Sequence, residues 1–341
     1  MSWLALDIGG ANLKAADGLG YAASRPFPLW KQPDQLADAL RGMIAAGPPA
    51  DRLAVTMTGE LADCYPSRRE GVAAIAAAVH QAADGKPCSF YAIDGRLAPL
   101  DAARAPLDGV SRGPLDYAAT NWHALAAFAA DRIEGRPGLL VDIGSTTIDV
   151  IPLNKGVATR SRSDLDRLRA AELLYTGIER TPLCAVLQTA TFSGQPVPVA
   201  AEFFATTADA YLLLGHTAED PDNSDTADGR PRTRADAARR IGRMLCTELT
   251  EPQAALVAAE VRHAQTRMLR GAITTVAARL PQPPAVIVAS GHGGFLLADA
   301  LAGQSFQANV LDLAAELGPE VSRCAPAHAL AVIAAHAEVK P

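Results

Sequence analysis

Cysteine is sparse and unpaired in this chain of 341 residues: Cys64, Cys88, Cys184, Cys246 and Cys324 lie far apart, are odd in number and form no CxxC. That argues against a disulfide framework or a zinc ribbon and fits a reducing cytoplasm. Positive charge is also short. Lys and Arg total 31 against 37 Asp and Glu, a net charge of −6, so a general nucleic-acid binder, which needs a basic surface to neutralise phosphates, is not expected. Aromatic residues make up 5% of the chain and the hydrophobic set 49%, which predicts alanine-rich helices packed closely through small side chains. No apolar run reaches the roughly 20 residues of a membrane span, and the chain enters a strand pattern at Trp3 with no basic leader. The expectation is a cytoplasmic globular protein, unattached to membrane, with length enough for two domains.

What the chain does have is one acidic, glycine-rich turn, twice. Leu4-Ala5-Leu6-Asp7-Ile8-Gly9-Gly10-Ala11-Asn12-Leu13-Lys14 and Leu139-Leu140-Val141-Asp142-Ile143-Gly144-Ser145-Thr146-Thr147-Ile148-Asp149-Val150 both run apolar to an aspartate, then glycine two residues on, then a renewed strand. Each reads as a β-hairpin with a bare turn. Bare turn amides attract anions, here those of Gly9, Gly10, Gly144 and Ser145, with the Thr146 and Thr147 hydroxyls beside them. An aspartate beside a bound phosphate needs a hard cation between the two, which makes Asp7 and Asp142 candidate Mg²⁺ ligands. Lys14 follows Asp7 by the interval at which Asp149 follows Asp142. Lys14 suits a phosphate contact as a point charge, and Asp149 a base or a second metal contact; the alternatives are a solvated strand residue for Lys14 and a polar strand-face residue for Asp149. Asn12 is either a donor within its turn or a left-handed turn residue. One such turn alone would be only a turn, but two with matched spacing in separate halves favour a polyphosphate held between them.

Strand and helix patterns alternate around the hairpins and predict an α/β fold. Helices are expected over 33–46, 71–83, 117–133, 202–214, 234–244, 252–280, 295–302 and 325–336, and strands over 53–58, 89–93 and 285–289. Residues 176–198 lack periodicity. The polar segment 220–232, rich in Asp, Asn, Pro and Gly, reads as a loop or lid. The expected division is a first domain of residues 1–116 joined by the C-terminal helix at about 325–337, and a second of residues 117–324.

A first Asp-x-Gly hairpin, a second near the middle, and a late strand entering Ser290-Gly291-His292-Gly293-Gly294 together resemble the actin-like ATPase superfamily. Shorter runs narrow the match: Thr56-Met57-Thr58-Gly59-Glu60-Leu61-Ala62-Asp63-Cys64, Ala119-Thr120-Asn121-Trp122, Glu172-Leu173-Leu174-Tyr175-Thr176-Gly177 with Arg180-Thr181-Pro182, residues 203–211, and Asp225-Thr226-Ala227-Asp228-Gly229-Arg230. These are similar to the hydantoinase/oxoprolinase-like proteins linked to tetrahydromethanopterin-dependent one-carbon transfer. The resemblance implies two ribonuclease-H-like domains around a cleft, with the hairpins as phosphate loops one and two and residues 288–295 as the nucleoside-side turn. It also implies a transferase of methanofuran or methylofuran biosynthesis. Such an enzyme couples an aminomethylfuran-methyl diphosphate to a tyrosine- or tyramine-derived phenol and releases pyrophosphate. Its partners would be that small-molecule diphosphate and the phenolic acceptor, with a homo-oligomer left open. ATP is compatible with the cleft but not favoured, because only one compact glycine turn and no adenine pocket is evident. An ATP-dependent small-molecule kinase or amidohydrolase of the superfamily, and a non-catalytic nucleotide-binding partner of one-carbon enzymes, are the alternatives.

The remaining candidates follow from position. Glu60, after a strand end and a glycine, is a general base or amine contact, or else begins a surface turn. Arg180 suits a diphosphate or a carboxylate through its planar fork, or a surface ion pair. The amides of Ser290, Gly291 and Gly293 meet an anion or a nucleoside edge, or merely connect strand to helix, and His292 there tolerates an unusual backbone angle. Asn121 and Trp122 stack a furan or phenol ring, or fill core. Asp225, Asp228 and Arg230 complete the metal site on closure, or form a solvated loop.

Overall fold

The computed structural model describes residues 1–99 and 113–337. In the first sheet β1 (Trp3–Ile8), β2 (Asn12–Ala16) and β3 (Ala22–Pro26) form an antiparallel meander. On the other side of β1 lie the parallel strands β4 (Arg52–Met57) and β5 (Cys88–Tyr91), edged by β6 (Leu97–Pro99). The second sheet repeats the plan: β7 (Gly138–Ile143), β8 (Ile148–Leu153) and β9 (Leu173–Leu174) meander. A separate hairpin, β10 (Thr189–Phe192) and β11 (Gln195–Pro198), intervenes before β12 (Val286–Gly291) and β13 (Asn309–Asp312) extend the sheet parallel to β7. The orders are β3-β2-β1-β4-β5-β6 and β13-β12-β7-β8-β9. An antiparallel meander with parallel strands flanking its first member is the ribonuclease-H-like arrangement. Present twice, it is the actin-like ATPase fold, and the α/β class is as expected.

Alternation along β1 builds two cores at once, because successive side chains leave opposite faces of a strand. Leu4, Leu6 and Ile8 face the helices Leu36–Ala46 and Arg68–Ala83. Trp3 and Ala5 face Leu330, Ala331 and Ala334 of the C-terminal helix Ala325–Ala337. That helix also packs through Ala325 and Ala329 with the helix Asn121–Arg132 and with Leu140, Ile151 and Val288 of the second sheet. The two alanine-rich helices therefore lie between the sheets. The long helix Glu251–Ala277 covers the far face of the second sheet through Leu269, Ile273 and Val276. Central strands covered on both faces explain why their sequences are almost continuously apolar up to the aspartates.

Three elements differ from expectation. The helix read from 117 starts at Asn121, because Ala119 has φ +49 and a left-handed residue cannot continue a right-handed helix. The helix read from 202 begins at Thr207, set by a capping box between Thr206 and Asp209. Residues 176–198 hold the β10–β11 hairpin, turned by Ser193 and Gly194 at φ +50 and +76, as a two-residue turn of the primed type requires.

The polar segment 220–232 is pinned: Asp220 bridges Arg232, and Asp228 accepts hydrogen bonds from Arg240 and Arg243 at 3.0 Å each. Arg240, fully buried, also donates through Nε to Asp209 at 2.8 Å. Arg240→Ala leaves Asp209 buried without its partner and is expected to cost about 3–5 kcal/mol of stability. Urea unfolding measures it, and a loss under 1 kcal/mol would remove this cluster from the account.

Candidate functional site: a cleft between two matched hairpins

Asp7 pairs with Lys14 across β1–β2, and Asp142 pairs with Asp149 across β7–β8. The equal spacing in the sequence is thus one register used twice. The Gly9 N–H donates to the Asn12 carbonyl and the Gly144 N–H to the Thr147 carbonyl, both at 3.0 Å. These two amides, expected among the phosphate donors, instead close the turns. The amides of Gly10, Ala11, Ser145 and Thr146 have no acceptor among the described residues, so the open turn amides lie one residue further along than the expected set. Asn12 is the first residue of β2, not a left-handed turn residue.

Neighbouring backbone holds each turn open from behind. Phe27 and Leu29 donate to the carbonyls of Ala11 and Gly10 at 2.9 Å each, and Glu179 and Arg180 both donate to the Ser145 carbonyl at 3.0 Å. Gly177 has to be glycine, since a Cβ there would lie 2.4 Å from the Ser145 carbonyl carbon. With their carbonyls engaged, the turns face the cleft amide first.

The hairpins enclose a cavity of about 170 Å³ lined by Asp7, Gly10, Asn12, Lys14, Asp142, Ser145, Thr146, Thr147 and Asp149. It shares Lys14, Asp142 and Ser145 with a smaller cavity of about 80 Å³ at His292 and Arg323. On the opposite side it shares Gly10, Thr58, Thr147 and Tyr175 with a larger one of about 540 Å³ at Trp30 and Arg180.

Burial raises the Asp7 carboxyl above its ordinary range; Lys14 and an Asn121 hydrogen bond pull it back, and Asp142 pushes the same way as burial. Asp142 is likewise raised by burial and lowered by Lys14, Ser290 and His292. Two carboxylates from opposite sheets therefore flank one ammonium. Asp7 Oδ1 is buried with no hydrogen-bond partner. An unpartnered carboxylate oxygen facing a second carboxylate fits a hard cation with an all-oxygen shell. Among the described residues no three Asp, Glu, His or Cys side chains converge, so water and phosphate oxygens would complete the shell.

Asp149 is pushed up to about 7 by burial, against the attraction of Arg167. Arg167 is itself buried, ion-paired with Asp149 and with Asp164 at 2.9 Å, and lies 4.5 Å from the Trp122 ring centroid. Trp122 is 2% exposed, so its stacking partner is this guanidinium and not a substrate ring. Asn121 reaches Asp7 instead of a ring.

Other candidates fall outside the cleft. Glu60 is 1% exposed, accepts from Arg68 at 2.8 Å and is absent from the cleft walls. Gly71, whose Cβ would lie 2.4 Å from the Glu60 carbonyl oxygen, packs directly on it. Asp228 serves Arg240 and Arg243, and neither Asp225 nor Arg230 lines the cleft. In the late turn the amides of His292 and Gly293 donate to the Ile143 carbonyl at 3.1 and 3.2 Å, so they hold the turn against β7 and present nothing to an anion. Gly291 has φ +80 and a Cβ there would meet that carbonyl at 2.3 Å; at Gly293 it would meet Ile143 Cγ2 at 2.1 Å. Ser290 stands opposite Asp142 in the β12–β7 ladder, and His292 Nε2 lies 3.0 Å from Glu179 Oε1.

The hydantoinase/oxoprolinase family model matches residues 51–337. The chain belongs to this family. Its relatives include the (4-{4-[2-(gamma-L-glutamylamino)ethyl]phenoxymethyl}furan-2-yl)methanamine synthase of Methanocaldococcus jannaschii, 32% identical over 336 residues, which are 96% of each chain. The synthase of the same name from Methanococcus vannielii is 30% identical over 213 residues, covering 61% of this chain and 95% of that one. Among solved structures, the nucleotide-free acetone carboxylase superposes with a TM-score of 0.46 at 15% identity, covering 94% of this chain and 51% of that one.

Proposed function

We propose that this hydantoinase/oxoprolinase-family protein is a transferase of methanofuran-type cofactor biosynthesis that forms an aryl ether with diphosphate as leaving group. The product in the relatives' name is an ether between a furan-bearing CH₂ and a phenol extended by a γ-glutamylaminoethyl arm. Disconnecting the CH₂–O bond gives a furylmethyl electrophile and a phenol. In the forward direction the bond from CH₂ to the diphosphate oxygen breaks, its electron pair leaves with pyrophosphate, the phenol oxygen bonds to CH₂, and the phenolic proton passes to a base.

The observation that carries this reading is the pair of hairpins presenting the Gly10, Ala11, Ser145 and Thr146 amides to one small cavity with Lys14. Amides and ammonium would bind the diphosphate and favour the charge it gains on departure. Asp7 and Asp142 would hold Mg²⁺, which when bound supplies a further positive charge to the leaving group. Asp149, poised near neutrality at about 7, is the cleft group suited to take the phenolic proton. That the His292 and Gly293 amides are occupied supports a diphosphate without a nucleoside over ATP.

Incubation of the purified protein with MgCl₂, 5-(aminomethyl)furan-3-ylmethyl diphosphate and γ-glutamyl-tyramine should release pyrophosphate and yield the coupled ether by mass spectrometry. No ether, together with robust ATP hydrolysis, would transfer the assignment to the ATP-dependent reading.

A further inference from the structure

The cavity between the hairpins, at about 170 Å³, has room for little beyond the charged group and its immediate attachment. The adjoining chamber of about 540 Å³ falls in the range of roughly 300–1,000 Å³ typical of organic-ligand sites. Its walls come from both halves: Trp30 and Leu61 from the first, Tyr175 and Arg180 from the second. Tyr175 is 59% exposed and Leu61 50%, so both side chains on the chamber's wall are open to solvent.

Arg180 lies 4.7 Å from the Trp30 ring centroid. It has no carboxylate partner among the described residues. A guanidinium stacked by its face keeps its N–H donors in the plane of the fork, free to meet a carboxylate at the edge. Asp63, exposed on the same wall, provides for an ammonium close by. Each half of this clamp is fixed to one phosphate loop. Leu29, next to Trp30, donates to Gly10 in loop one, and Arg180 itself donates to Ser145 in loop two.

The geometry points to the Trp30–Tyr175–Arg180 chamber as a subsite for a planar aromatic ring carrying a carboxylate, which in the proposed reaction is the phenolic acceptor. The inference rests on that reading for the identity of its ligand but on the chamber's own chemistry for the ligand's class. A ring against Tyr175 and the part of Trp30 that Arg180 leaves open, with its acidic arm at Arg180, would sit against both loops and so near the carbon that loses diphosphate in the proposed reaction.

Calorimetric titration in the presence of Mg²⁺ and pyrophosphate tests it with two probes, γ-glutamyl-tyramine, which has ring and carboxylate, and tyramine, which has the ring alone. The native protein should bind the first at least tenfold more tightly. Arg180→Gln should reduce that ratio to within twofold, Trp30→Ala should weaken both probes at least tenfold, and both variants should keep pyrophosphate affinity within twofold and an unchanged melting temperature. A preference retained in Arg180→Gln, undiminished binding in Trp30→Ala, or no binding of either probe to the native protein would overturn the subsite. Should the acid bind as described while no ether forms from the furan diphosphate, the subsite stands and the transfer reading falls. Ether formation with an unchanged acceptor KM in both variants gives the reverse result.

Discussion

Asp142→Asn is expected to slow pyrophosphate release by about 10²–10³-fold, the scale on which loss of one electrostatic contact to a charge-developing leaving group is felt. The amide keeps the shape of the carboxylate and its place opposite Ser290 and Asp149, so a folding defect is not the expected cause. What is lost is half of the pair that flanks Lys14. Asp7→Asn should act alike, since Asp7 occupies the equivalent hairpin position and carries the unpartnered Oδ1. The deciding measurement is pyrophosphate calorimetry with and without Mg²⁺. Native protein should bind far more tightly with the cation, and in either variant that dependence should disappear. A variant that keeps it would place the cation elsewhere.

Arg167→Met should be the most damaging substitution to the cleft's framework, at about 3–5 kcal/mol, because it strips the partner from buried Asp149 and uncovers the Trp122 ring. The double variant with Asp149→Asn should recover much of that stability, since the unpaired charge goes with the carboxylate, while activity stays lost if Asp149 takes the phenolic proton. The pH dependence has a definite sign. In the folded protein burial raises Asp149 from its ordinary 3.8 to about 7, so between those values the native carboxyl keeps a proton that the unfolded chain has released. Stability contributed at this position therefore falls as pH rises from 3.8 to about 7 and levels above it. Removing Arg167 raises that carboxyl further and extends the falling limb to higher pH. Thermal melts of the native, single and double variants across this range check it, and parallel curves would exclude Asp149 as the titrating group.

Much of the fold was legible because its central strands are buried on both faces and end in the same acidic turn, a pattern independent of long-range contacts. The register pairing Asp7 with Lys14 and Asp142 with Asp149 was visible as equal spacing. What was not legible were features decided by three-dimensional neighbours. Nothing local marks Gly9 and Gly144 as turn-closers whose amides are engaged, or tells that the Trp122 ring would be taken by a guanidinium 45 residues away, at Arg167. Glu60 resembled a cleft carboxylate because it follows a strand end, yet the close approach of Gly71 turns that segment inward toward Arg68. Trp30 carried no motif and Tyr175 stood in a quoted run without a role of its own, and only the meeting of the two halves brings them to one chamber. Ser193-Gly194, in contrast, is a local hairpin signal, both residues taking the positive φ that a two-residue turn needs.

The duplicated hairpins are alike in backbone and opposite in sign at one matched position, lysine at 14 and aspartate at 149. Two equivalent turns alone would accept a diphosphate in either orientation. With a lysine at one of two equivalent points and an Arg167-paired aspartate at the other, a diphosphate bound as proposed would meet unlike ends: its free terminal phosphate, the more anionic end, would lie toward Lys14. A backbone plan used twice would then serve to tell the two ends of a small molecule apart.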